Sequence, residues 1–179
     1  MSESNAAIRP LDQPGDLGWV LKVHGELYAR EYGWSVEAVT ARILADFAEK
    51  RRPGRDAGWI AEIDGQRVGS IFCVAVDEQT AQLRLLLLEP AARGHQLGRR
   101  MVSQCVDFAR KAGYRELRLW TNEPLAAARK LYLGAGFRLA GESTHTDFGI
   151  ELLGQDYRLE LSDARATSPG EEVPAGGPA

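Results

Sequence analysis

The stretch LLLLEPAARGHQLGRRM, residues 85–101, decides how this chain folds. Four consecutive leucines suit a strand covered on both faces rather than one facing water. Glu89-Pro90 closes the strand, since the residue before a proline is held extended and the proline has no N–H for a ladder. A glycine-containing loop then opens a helix at about Leu97, and Leu97, Met101, Cys105, Phe108 and Ala112 keep three- or four-residue spacing on one face up to Gly113. A buried strand running into a helix N-terminus is an anion site. The first-turn N–H groups lack intrahelical partners, the helix dipole adds partial positive charge, and Arg93, Arg99 and Arg100 add full charges. Gly94 and Gly98 remove side chains where a pyrophosphate would approach the backbone.

Working outward, Leu117 to Trp120 reads as the next short strand, so strand, helix and strand spell a parallel crossover. Upstream, Gly58 to Ile63 and Val68 to Val76 are β-rich and joined by Asp64-Gly65, a hairpin signal. Ala81 to Leu88 becomes the central strand. Earlier still, helical spacing predicts a helix over 16–31, with Asp16 as its cap, and a second helix capped by Ser35 and closed by Pro53-Gly54. Ala7 to Leu11 predicts a first strand. Downstream, a helix from Leu125 to Leu133 stops at Gly134 and Gly136, and Phe137 to Glu142 and Tyr157 to Leu161 read as two last strands. The fold class is α/β, a single domain with a mixed sheet of six to seven strands and flanking helices. Residues 1–6 and the Pro/Gly-rich 162–179 read as disordered tails around a folded 7–161.

The 179 residues allow one ordinary core, and a net charge of −3 gives no general attraction to nucleic acid or anionic membrane. The two cysteines, Cys73 and Cys105, have no partners at metal-ligand spacing, so no metal is expected. Neither a signal peptide nor a membrane-spanning run is visible, which predicts a cytoplasmic protein. Spacing excludes two phosphate-binding alternatives: there is no GxxxxGK[ST], and no GxGxxG after a first strand.

What remains resembles the GNAT superfamily of N-acetyltransferases. Its [RQ]xxGx[GA] signature corresponds to Arg93, Gly94, His95, Gln96, Leu97 and Gly98, with Gln96 in place of the first glycine. Its closing segment, a Tyr followed by Gly-Phe, corresponds to ARKLYLGAGF at 128–137. The HGELYAREYGW segment and the LRLWT strand look more narrowly like the acetyltransferase halves of bacterial proteins fused to MarR-type regulators.

The resemblance implies acetyl-CoA as co-substrate and no metal. It implies that the central strand splays from the strand after it, leaving backbone groups of Leu86, Leu87 and Leu88 to pair with the pantetheine arm, while Arg93 to Arg99 hold the pyrophosphate. Asn122 is the nearest match to a cofactor-binding Asn, because the family's usual position holds Leu125. Tyr132 matches the general acid. Glu89, ending the leucine strand, is the leading base, with Glu26 and Glu31 as competitors. His24, Tyr28, Tyr32 and Trp34 fall in the region that lines the acceptor site, His95 is placed by its backbone, and His145 reads as a solvated loop residue. The implied reaction is acetyl transfer to a primary amine of a small molecule by direct attack in a ternary complex. A protein N-terminus or lysine, and a non-catalytic acyl-CoA sensor, are the alternatives. A homodimer through the late strands stays open.

Overall fold

Asp64 and Gly65 both take left-handed backbone conformations (φ 50° and 76°) and fold β2 (Ala57–Ile63) back on β3 (Gln66–Ala75), as the hairpin signal predicts. The computed structural model describes residues 5–161, so the proposed tail at 162–179 and residues 1–4 lie outside it. The first strand, β1 (Ala6–Pro10), takes in Ala6 and pairs antiparallel with β2. β4 (Thr80–Leu88) pairs antiparallel with β3 and occupies the middle of a seven-stranded sheet ordered β1-β2-β3-β4-β5-β7-β6, in which β5 is Glu116–Asn122, β6 Arg138–His145 and β7 Leu152–Glu160.

The leucine run of β4 is not a regular strand. Ser70 faces Leu87 and Phe72 faces Arg84, so both Leu85 and Leu86 stand opposite Ile71 in a β-bulge, with Leu85 at φ 50°. The Ser70 hydroxyl donates to the Leu85 carbonyl at 2.8 Å and holds the bulge. One extra residue reverses the side-chain alternation. Ala81 and Leu83 face the core under α3 (Leu97–Lys111), whereas Leu85 joins Phe47 and Phe72, and Leu87 meets Val23 and Leu27, on the opposite face. Leu86 and Leu88 then take over the α3 face. A uniform row of leucines permits this switch because either face buries the same side chain.

The α3 crossover delivers β5 (Glu116–Asn122) parallel to β4, but pairing covers only Thr80 to Gln82 against Glu116 to Arg118. Beyond that point β5 pairs along its whole length with β7 (Leu152–Glu160), leaving the β4 edge from Leu83 onward without a strand partner. The sheet forks there. β6 (Arg138–His145) completes the sheet on the outer side of β7. Both late strands are longer than the sequence predicts, β6 by three residues at its end and β7 by five at its start. Polar residues in these segments hide strand content that cross-strand pairing supplies.

Both predicted helix caps are corrected. Helix α1 (Asp16–Tyr32) starts after Gly15 without a side-chain cap, and α2 (Glu37–Lys50) starts after Val36, not Ser35. Asp16 is instead buried, 1% exposed, accepting from Arg9 at 2.8 and 2.9 Å, Arg67 at 2.8 Å and the Gln13 N–H at 3.0 Å. Two arginines from β1 and β3 outcompete the local cap, tying α1 to the sheet. No helix among the described residues is long and apolar enough to cross a membrane.

Gly69 lies opposite Leu88, where a Cβ would stand 2.6 Å from Leu88 Cδ2 and 3.0 Å from the Leu87 carbonyl oxygen. The carbonyl cannot swing aside without breaking the ladder. Gly69→Ala is expected to cost about 1–3 kcal/mol through overpacking, seen as a lower midpoint in thermal unfolding.

Candidate active site

The fork between β4 and β5 opens into a cleft of about 150 Å³. Its floor is Leu83 to Leu86, and β5 contributes Trp120, Thr121 and Asn122. His24 and Tyr28 of α1, Thr40 and Ile43 of α2, and Tyr132 of α4 (Ala126–Gly134) supply further walls. Trp34 and Phe148 close it, with ring centroids 5.8 Å apart. Trp34 stacks on Tyr28 at 5.7 Å and on Tyr32 at 4.7 Å, so the turn after α1 is built from aromatic contacts. Among the described lining residues no carboxylate occurs, and Arg84 is the one guanidinium.

Tyr132 is 5% exposed and packs edge-on to Phe137. Burial, with Tyr28 and Cys105 nearby, pushes its phenol well above the ordinary value, so it carries its proton at neutral pH. Burial likewise lifts Tyr28 to about 12. His24 is held the other way: burial takes the imidazole down to about 4, the backbone bond to Val20 opposing. No strongly charged group other than Arg84 therefore faces the cleft.

At the other end of the fork, Gln96 takes φ 54° as the residue before α3, the conformation a glycine adopts without cost. Its side chain is exposed and makes no cap to the helix, leaving the first-turn N–H groups open. Gly94 also turns left-handed, at φ 87°, with open space where a Cβ would be. Gly98 has a different reason for being glycine. A Cβ there would meet Leu131 Cδ1 at 2.7 Å and Leu88 Cδ1 at 3.0 Å, so it allows α3 to pack closely on α4 and β4.

Residues 22–137 match the model of the acetyltransferase (GNAT) family. The chain belongs to that family. Similar curated proteins include mouse (Mus musculus) N-acetyltransferase family 8 member 3, 38% identical over 93 residues, which are 49% of this chain and 41% of that protein. Zebrafish (Danio rerio) N-acetylaspartate synthetase is 30% identical over 93 residues, 51% of this chain and 33% of that protein. The GNAT chain thus spans less than half the length of either. Among solved structures, the Salmonella typhimurium acetyltransferase yncA with acetyl-CoA shares the fold at a TM-score of 0.72, with 22% identity, covering 90% of this chain and 96% of that one.

In this GNAT fold the sequence-derived site residues separate into two groups. Leu86, Asn122 and Tyr132 meet in the cleft. Arg93, Gly94, Gln96 and Arg99 are exposed around the α3 start, His95 is half-buried, and Leu97 and Gly98 are buried under them. Leu87 packs into the α1 face, and Leu88 against Gly98. Asn122 is buried and accepts from His145 Nε2 at 2.7 Å. His145 is therefore not a solvated loop residue: it ends β6, 12% exposed, against Trp120 and Phe148. Glu89 lies just past β4, half-buried, its N–H bonded to Val68, and does not line the cleft. Glu26 is paired with Lys22 on the surface, and Glu31 lies 3.7 Å from Arg93. Tyr32 backs Trp34 without lining the cleft.

Sequence reasoning missed Arg84, Thr40 and Phe148. Phe148 sits in a loop with no periodicity, and the bulge that re-aims Arg84 and Leu85 leaves no mark in a row of apolar residues.

Proposed function

We propose that this GNAT protein is an acetyl-CoA-dependent N-acetyltransferase that moves an acetyl group to the primary amine of a small molecule by direct attack in a ternary complex. The observation that carries the reading is the fork. It leaves the β4 edge beyond Gln82 without a strand partner, along one wall of a cleft that also holds Tyr132. The open start of α3, flanked by exposed Arg93 and Arg99, suits the pyrophosphate of acetyl-CoA, and the free β4 edge suits its amide-bearing arm. When bound, acetyl-CoA supplies an activated thioester carbonyl.

The chain's own groups would then act in turn. A β4 backbone N–H faces the charge that develops on the carbonyl oxygen, the kind of fixed donor generally worth about 3 kcal/mol in acyl transfer. As the new C–N bond forms and the C–S bond breaks, Tyr132 donates its proton to the sulfur. Glu89, outside the cleft lining, takes the amine's proton through water. The cleft's small size and aromatic closure favour a small acceptor over a protein segment. Kinship to the acetyltransferase halves of MarR-type fusions belongs to the same proposal and rests on HGELYAREYGW and LRLWT.

The test is calorimetric titration with acetyl-CoA beside a thiol-release assay over benzylamine, spermidine, lysine and a peptide with a free N-terminal alanine. Acetyl-CoA binding with release that depends on a small amine is the expected result. Binding without release from any amine would instead support an acyl-CoA sensor, and absence of binding would overturn the reading.

A further inference from the structure

Among the cleft groups that the mechanism leaves unused is His24. His24 is 3% exposed, and its Nδ1 stands 2.8 Å from the Val20 carbonyl oxygen. A carbonyl oxygen only accepts, so Nδ1 carries the proton and Nε2 presents a bare lone pair. That Nε2 is buried without any hydrogen-bond partner, in a side chain that lines the same cleft as Tyr132 and Leu86. A buried acceptor left unpaired costs free energy, and native proteins pair the large majority of such atoms. The bare lone pair can accept an N–H or O–H from a group bound in the cleft.

Resting on the acetyl-transfer reading, we propose that His24 Nε2 is the docking atom for the acceptor amine, receiving one of its N–H bonds, and that the cleft admits the amine as the uncharged free base. The electrostatics of the walls point the same way. The ionisable groups sharing the cleft are Tyr28 on α1, Arg84 on β4 and Tyr132 on α4; the α2 and β5 walls contribute none. Glu37 of α2 approaches α1 at Gly25, next to His24, but does not line the cleft. An ammonium entering this space would meet no carboxylate and one guanidinium, so it leaves its proton in water first. With one N–H held on Nε2, the nitrogen lone pair is free to turn toward the carbonyl carbon. Burial keeps the imidazole neutral throughout the working pH range, so it remains an acceptor there.

The experiment is steady-state thiol release by the full chain and its His24→Leu and His24→Gln variants, using whichever amine of the panel above the unmodified protein turns over fastest, across pH 6–10. The profile of kcat/KM should rise with unit slope through the amine's own pKa. His24→Leu should lower the whole curve roughly 30-fold, through KM for the amine, without moving it, while KM for acetyl-CoA stays within about twofold. His24→Gln keeps an acceptor at the end of the side chain and should recover about tenfold of that loss. Equal amine kcat/KM in all three proteins would overturn the role of His24 and leave acetyl transfer standing. A low-pH limb that disappears in His24→Leu would overturn free-base docking, making His24 a titrating base. No turnover by the unmodified protein would instead sink the acetyl-transfer reading on which this inference rests.

Discussion

Tyr132→Phe is expected to lower kcat for amine-dependent thiol release by about 10²- to 10³-fold, with acetyl-CoA affinity within about twofold of the unmodified protein. The substitution removes one oxygen and leaves the ring that packs on Phe137 and Tyr157, so the wall of the cleft stays in place. No described residue hydrogen-bonds the hydroxyl, and its loss orphans no partner. On the proposed mechanism, what disappears is the proton for the departing sulfur. Burial makes the phenol a weaker acid than in water, but the same apolar surroundings raise the proton affinity of a thiolate formed beside it, so the gap between the two groups does not widen by the full shift of the phenol. Single-turnover thiol release with calorimetry for acetyl-CoA separates the two effects. An undiminished kcat would return Tyr132 to a packing role.

Asp16→Asn is expected to destabilise the fold by about 3 kcal/mol, because it leaves Arg9 and Arg67, half-buried at the same spot, without their shared anion. In a domain of this size that amounts to a fall of roughly 10 °C in the unfolding midpoint. The acid limb of stability should change as well. Burial alone would raise the Asp16 carboxyl, but hydrogen bonds from Arg9, the Gln13 N–H and Arg67 outweigh it and hold the group at about 2, below its ordinary 3.8. The folded chain therefore binds fewer protons than the unfolded chain between these values. The stabilisation, about 2 kcal/mol, is complete above pH 4 and is lost as pH falls toward 2. Denaturant unfolding at pH 7, 4 and 2.5 checks both parts: the unmodified protein should lose this increment on acidification, and the Asn variant should lack it at every pH.

Much of the fold was legible because its signals are local. Helical spacing placed α1 to α4, Asp64-Gly65 placed the hairpin, and the leucine run followed by Pro90 placed the central strand and the helix after it. The caps were misread although capping looks local. Asp16 has the right residue type at the right position, yet partners 7 and 51 residues away claim it. The half of the site proposed to bind the pyrophosphate could be read for the same reason that the helices could: a strand-to-helix junction with arginines is contiguous in the chain. The cleft proposed to take the acceptor is assembled from α1, α2, β4, β5, α4 and a loop, and no window of sequence contains it.

The sequence by itself determined that a buried leucine strand ends at Glu89-Pro90 and that a helix with an open, arginine-flanked N-terminus follows; Tyr132 came only with the family resemblance. Periodicity, turn chemistry and unpaired first-turn N–H groups are enough for the strand and the helix. Only the tertiary structure decided where the strand breaks its alternation, where β5 parts from β4, and that His24 keeps an unpaired ring nitrogen while lining the resulting gap. Those outcomes depend on β7 competing for β5, on Ser70 fixing the bulge, and on Val20 taking the one imidazole proton. The first two are choices between partners that become neighbours only after the chain has folded; the third is local to α1, and it is the packing around His24 that leaves its other nitrogen unpaired.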